Sequence, residues 1–166
     1  MSIPSATLNW WAAQGLVPAT SDELARVKAA IGPDGSADYI DFLARHGFAT
    51  WDMDIPDTFE YQLAQSGGTL VKRASITHLW RCDHIERMAA DVREAGDGLP
   101  LYYPNTHFPI GCAGGQTQVL LELSGTPGRI WFWPERADEW GTGDNITLGF
   151  VANSFAEFVD ALMLEV

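Results

Sequence analysis

Apolar residues recur along this chain in two rhythms, which predict where helices and strands lie. Leu24, Val27 and Ile31 fall three and four positions apart, the spacing of one helical face. Thr20 and Glu23 ahead of them form a capping box, and Gly32-Pro33 supplies a stop. Tyr39, Ile40, Phe42 and Leu43 mark a second helix that opens at Gly35-Ser36 and ends at Gly47. A third opens at Asp83-His84-Ile85-Glu86, with an acceptor at the cap and Glu three residues on, and runs through Met88, Ala89 and Val92 to Gly96. Ser154 and Glu157 form a further capping box, followed by the apolar stripe Phe155, Phe158, Val159 and Leu162 of a closing helix.

The stretches between have a period of two. Thr58–Leu63 and Leu70–Trp80 read as strands around a Gly67-Gly68 turn. Thr117, Val119, Leu121 and Leu123 share one face of a strand over Gln116–Leu123. The turn Ser124-Gly125-Thr126-Pro127-Gly128 leads into Arg129–Trp133, with Trp131 and Trp133 on one face and Ile130 and Phe132 on the other. A symmetric hairpin places the two tryptophans beside Val119 and Leu121. Ile146–Val151 is one more strand. Residues 98–108 read as a loop, and Pro109-Ile110-Gly111 with Gly114-Gly115 as a tight turn that needs positive φ. No Lys-Ser or Lys-Thr follows those glycines, which speaks against a phosphate cradle. Short turns between consecutive strands mean antiparallel pairing. The expected class is therefore α+β: one domain over 1–166 with an N-terminal extension at 1–19, mainly an antiparallel sheet with N-terminal helices and a C-terminal helix packed on one face.

Composition adds constraints. The chain has 166 residues, 46% of them hydrophobic, enough for one sizeable core. Its 22 acids against 10 Lys and Arg give a net charge of −12, which disfavours nucleic acid and anionic membranes and permits a basic partner. Met1-Ser2-Ile3-Pro4-Ser5 lacks the pattern of a signal peptide, and no apolar run reaches the ~18–20 residues of a membrane helix. Cys82 and Cys112 are the two cysteines and make no disulfide framework. The expected location is the cytoplasm.

Reactive chemistry is sparse. His78, Cys82 and His84, with His107 and Cys112 as a second pair, do not match zinc spacing, so no metal or cofactor is expected. A Cys112–His107 nucleophile would require the two to meet in space, and no catalytic residue is assigned. The adjacent Trp10 and Trp11 read as a strap over the core. The acids are uneven. Asp52, Asp54, Asp57 and Glu60 follow Trp51, while Glu135, Asp138, Glu139 and Asp144 surround Trp140. These two runs hold eight of the 22 acids, and each pairs acidic residues with an aromatic anchor, the make-up of a surface that captures a basic partner.

Four segments occur in a distinctive order: Ala37-Asp38-Tyr39-Ile40-Asp41-Phe42-Leu43 before Gly47, Phe108-Pro109-Ile110-Gly111-Cys112-Ala113-Gly114-Gly115, Arg129-Ile130-Trp131-Phe132-Trp133-Pro134-Glu135, and Val151-Ala152-Asn153-Ser154-Phe155-Ala156-Glu157-Phe158. Together they resemble the SUKH superfamily, which includes a cell-wall assembly regulator domain. The chain departs from that pattern at Ser36-Ala37, where Leu-Pro is common, at Cys112-Ala113, where acids are common, and in a longer insert near 83–105. The resemblance implies a protein-binding role without shared catalytic residues. Its bacterial members are largely immunity proteins that neutralise a cognate toxin, often a nuclease. The alternatives are an intracellular regulator or adaptor, and then a small hydrolase or thiol enzyme. Oligomeric state stays open.

Overall fold

The computed structural model describes residues 13, 16–32, 36–48, 57–95, 106–114, 117–134 and 147–164. Four helices are present: α1 (Ser21–Ile31), α2 (Ala37–His46), α3 (Cys82–Ala95) and α4 (Phe155–Asp160). Eight strands accompany them: β1 (Asp57–Gln65), β2 (Gly68–Ile76), β3 (His78–Leu79), β4 (His107–Cys112), β5 (Gln118–Glu122), β6 (Ile130–Trp133), β7 (Gly149–Ala152) and β8 (Met163–Leu164). The class is α+β, as the periodicities imply.

Local chemistry sets the helix ends. Thr20 Oγ1 accepts the Glu23 amide at 3.2 Å, and Glu23 Oε2 accepts the Thr20 amide at 2.9 Å, so the predicted box opens α1. Ser36 Oγ accepts the Tyr39 amide at 3.2 Å and opens α2. The start of α3 differs from expectation. It begins at Cys82, with the Arg81 carbonyl accepting from His84 and Ile85, and Glu86 turns instead to Arg26 of α1, accepting from its Nε at 2.9 Å. At α4, Ser154 Oγ accepts the Glu157 amide as predicted, while the Glu157 carboxylate reaches one residue further back, to the Asn153 amide at 2.9 Å.

The strands form one antiparallel sheet in the order β2-β1-β7-β6-β5-β4-β3, and β8 pairs with Asp57 and Thr58 of β1. The stretch 70–80, expected as one strand, is divided. Its first part pairs with β1, and after Thr77 its last part pairs with β4, His78 opposite Cys112. β2 and β3 stand at opposite ends of the strand order, yet one residue separates them. The sheet therefore curls until its two edges meet at Thr77, whose amide donates to the Cys112 carbonyl at 2.9 Å. Pro109-Ile110-Gly111 is not a turn. It lies within β4, and Gly111 is required by proximity: a Cβ there would stand 2.4 Å from the His78 carbonyl oxygen. Gly114 does take the positive φ expected of this segment, 88°.

The β5–β6 register corrects the symmetric hairpin. Val119 pairs with Phe132, Leu120 with Trp131 and Leu121 with Ile130. Glu122 and Arg129 close the loop, so it holds residues 123–128 rather than 124–128, with Gly125 and Gly128 both at positive φ. That added residue turns Trp131 and Trp133 away from Val119 and Leu121. Val119, Leu121, Ile130 and Phe132 join Phe59 and Tyr61 beneath the helices, where Val27, Ile31, Tyr39, Phe42, Leu43, Ile85, Phe155 and Phe158 meet them. Phe59 touches Phe132 and Phe158 edge-on at 5.3 and 5.5 Å. Leu120 and Trp133 form a separate small cluster with Trp131 and Leu148 on the outer face. Trp10 and Trp11 lie outside the described residues. Leu16 and Ala19 pack against the core, and the Ala19 amide donates to Leu43 of α2 at 2.9 Å.

Candidate partner-binding surface

Two of the ten expected contact residues fall within the described chain. Asp57 opens β1, its backbone pairing with Ile76 and Leu164. Glu60 is exposed and accepts from Arg73 on β2 at 3.2 Å, directly across the strand pair. Trp51, Asp52, Asp54, Glu135, Asp138, Glu139, Trp140 and Asp144 lie outside the described residues.

The strands fix where the two acidic runs are rooted. The first run leads into Asp57. The second leaves Trp133 and rejoins the described chain at Thr147, just before β7. Gln62 pairs with Phe150, and Phe132 with Gly149, so Trp133 lies level with the far end of β1. The roots are about seven strand positions apart, roughly 23 Å. That separation follows from the antiparallel register.

Between those roots, the outer face of the sheet carries a band of aromatic and polar groups. Trp131 stands edge-on to Phe150 at 5.4 Å and to His107 at 5.8 Å, and the Arg129 guanidinium lies 6.0 Å from the Phe150 ring. Glu122 is 8% exposed, yet its carboxylate accepts from Trp131 Nε1 at 2.8 Å and from the Thr126 amide at 2.7 Å. Those donors satisfy a charge that burial alone would penalise. His107, its cross-strand neighbour, bonds Thr106 through Nδ1 at 2.9 Å. Burial holds the His107 imidazole below its usual pKa, and the Glu122 charge opposes that effect. Beyond Gln62, the β1–β2 ribbon exposes Leu70 and Val71, with Lys72 and Arg73 following. This outer band could be found only once the register was known, since the symmetric hairpin assigns its tryptophans to the core.

The thiol arrangement differs from the one considered from sequence. His107 and Cys112 occupy opposite ends of β4 and do not meet. Cys112 instead faces His78, with Sγ 3.5 Å from Nδ1, and both lie against Thr77 Oγ1, at 3.2 and 3.0 Å. Nothing in the sequence links residues 34 positions apart; the β3–β4 register does. Cys82 packs in the core and donates to the Glu23 carbonyl at 3.6 Å. Among the described residues, no three His, Cys, Asp or Glu side chains are grouped to hold a metal ion. Two concavities flank the end of α1. One, about 490 Å³, is lined by Leu24, Lys28, Ile31, Ile40 and Asp41 among others, and the other, about 240 Å³, by Ala29, Ala89, Phe108 and Leu123 among others. Neither brings a nucleophile together with a base among the described residues.

The family model described as SMI1 / KNR4 family (SUKH-1) matches residues 18–161, from the segment before α1 to the end of α4. No curated protein and no solved structure matches the chain. No helix among the described residues is long and apolar enough to cross a membrane.

Proposed function

We propose, from the premise that this chain belongs to the SMI1 / KNR4 family (SUKH-1), that it is a non-enzymatic protein-binding module acting in the cytoplasm as an immunity protein against a cognate toxin domain. The observation that carries this reading is the family match across most of the chain. Charge supports a basic toxin, with a nuclease as the favoured class. A nuclease presents cations to phosphates, and a chain of net charge −12 is drawn to that surface at long range. Trp51, Asp52, Asp54 and Asp57 form one contact group, and Glu135, Asp138, Glu139, Trp140 and Asp144 the other. Glu60 contributes less, because Arg73 already holds it in an exposed ion pair.

The test is to read the neighbouring genes and co-express the chain with any toxic C-terminal domain encoded there. Rescue of growth and a stoichiometric complex on co-purification are the expected results. Equal killing with and without the chain, and no complex, would overturn the reading for that pair. Absence of any toxin locus nearby, with an endogenous protein co-purifying instead, would replace it with a regulatory or adaptor role.

A further inference from the structure

We propose that Cys112 is a modifiable thiol with His78 as its proton acceptor, built to react with a small soft electrophile such as hydrogen peroxide. The two cysteines are in unlike settings. Cys82 belongs to the hydrophobic core, and burial pushes its thiol pKa upward. Cys112 is also buried but lies outside that core, in a polar nest at the short edge of the sheet. Its partners there are an imidazole and a hydroxyl.

The hydrogen bonds of the nest converge on the Thr77 hydroxyl. The Thr77 hydroxyl donates to the Cys112 carbonyl at 3.1 Å, which leaves Oγ1 as an acceptor. His78 Nδ1 stands 3.0 Å from Thr77 Oγ1 and 3.5 Å from Cys112 Sγ, so the ring nitrogen is within reach of the thiol proton. His78 lies nearly parallel to Trp80, at 17° with ring centroids 5.7 Å apart, a stacking contact that orients the imidazole. Trp80 in turn stacks on His84 at 4.1 Å and donates through Nε1 to Gln118 at 3.4 Å, which fixes the indole. β3 is the last strand in the order, so among the described residues no strand pairs along its outer edge.

The reaction balances as follows. The thiol proton passes to Nδ1, and the Sγ lone pair attacks one peroxide oxygen. The O–O bond breaks as the S–O bond forms, and the departing hydroxide takes the proton from the imidazolium to give water. Sulfur is oxidised by two electrons to a sulfenic acid, and peroxide is the species reduced.

The test uses the full chain, reduced and desalted, then treated with hydrogen peroxide in the presence of dimedone and mapped by peptide mass spectrometry. The expected result is a dimedone adduct at Cys112, formed about tenfold or more faster than at Cys82. Iodoacetamide rates at pH 6 and pH 9 separate a base from a merely structural neighbour. His78→Gln should slow alkylation of Cys112 about tenfold at pH 6 and leave the pH 9 rate unchanged. Thr77→Val, which removes the hydroxyl at constant shape, should also lower the pH 6 rate. Cys112 reacting no faster than Cys82, or pH 6 rates unaffected in both folded variants, would overturn the proposal. Should His78→Gln fail to fold, Thr77→Val and the Cys112-to-Cys82 ratio decide.

Discussion

The carboxylate of Asp38 in α2 accepts the backbone N–H of Ala156 in α4 at 3.0 Å, across 118 residues of chain. Its other oxygen bonds the hydroxyl of Ser36, the residue that caps α2. One side chain therefore ties the start of an early helix to the start of the last one. Tyr39 and Phe42 then close on Phe155 at 4.9 and 5.0 Å. Two segments that carried the family resemblance are thus one structural unit.

Asp38→Ala should destabilise the fold by about 1–2 kcal/mol, since it strips an acceptor from a helix N-terminus. Urea unfolding checks this, read as a shift in midpoint at constant slope. A loss below about 0.3 kcal/mol would show that water replaces the carboxylate at no cost.

Tyr39 presents the opposite case. Its ring is fully buried, its hydroxyl has no hydrogen-bond partner among the described residues, and burial drives its pKa far upward. Tyr39→Phe should leave stability unchanged or raise it by about 1 kcal/mol, because a desolvated, unpaired group is removed. A clear fall in melting temperature would mean that the hydroxyl has a partner, such as a buried water.

Glycines at two points of the sheet should respond differently to alanine. At Gly111 the new Cβ meets the His78 carbonyl, and a loss of about 2 kcal/mol or more is expected. Gly67 has open space and an ordinary φ, so Gly67→Ala should change stability by under about 0.5 kcal/mol. Matched thermal melts of the two variants compare them directly.

Stability should fall on mild acidification. The folded-state pKa values of His107 and His46 are both held down, by burial first, so the unfolded chain binds protons more readily. Their contribution is complete above the unfolded value, near pH 6.5, and is lost as pH drops toward the lower folded values. His107→Gln should flatten the stability profile between about pH 5 and pH 7. Chemical denaturation at several pH values measures that slope.

Local chemistry was legible in the sequence. Thr20 and Ser154 named helix starts because a cap needs only an oxygen and a nearby amide, and Val119 and Leu121 revealed their face by alternation. The β5–β6 register was not legible, because it depends on one loop residue at Leu123, and the misplaced tryptophans concealed the outer aromatic band. Thr77 looked like the middle of a strand, since strand propensity does not record which neighbour a strand pairs with. The Cys112–His78 contact was hidden for the same reason. The acidic runs were visible as composition, but the placement of their roots, one at the start of β1 and one on β6 level with its far end, follows only from pairing.

The meeting of β2 and β3 at Thr77 bears on self-association. An open sheet has two free rims, each a template on which another chain can extend the ladder. Here one rim is two residues long and continues covalently into the other, so growth from that side has almost no backbone to copy. The remaining rim runs along β2 and carries Lys72 and Arg73, the charged side chains that obstruct edge-to-edge stacking. Among the described strands, the curl that closes the core leaves one long margin, and that margin is guarded.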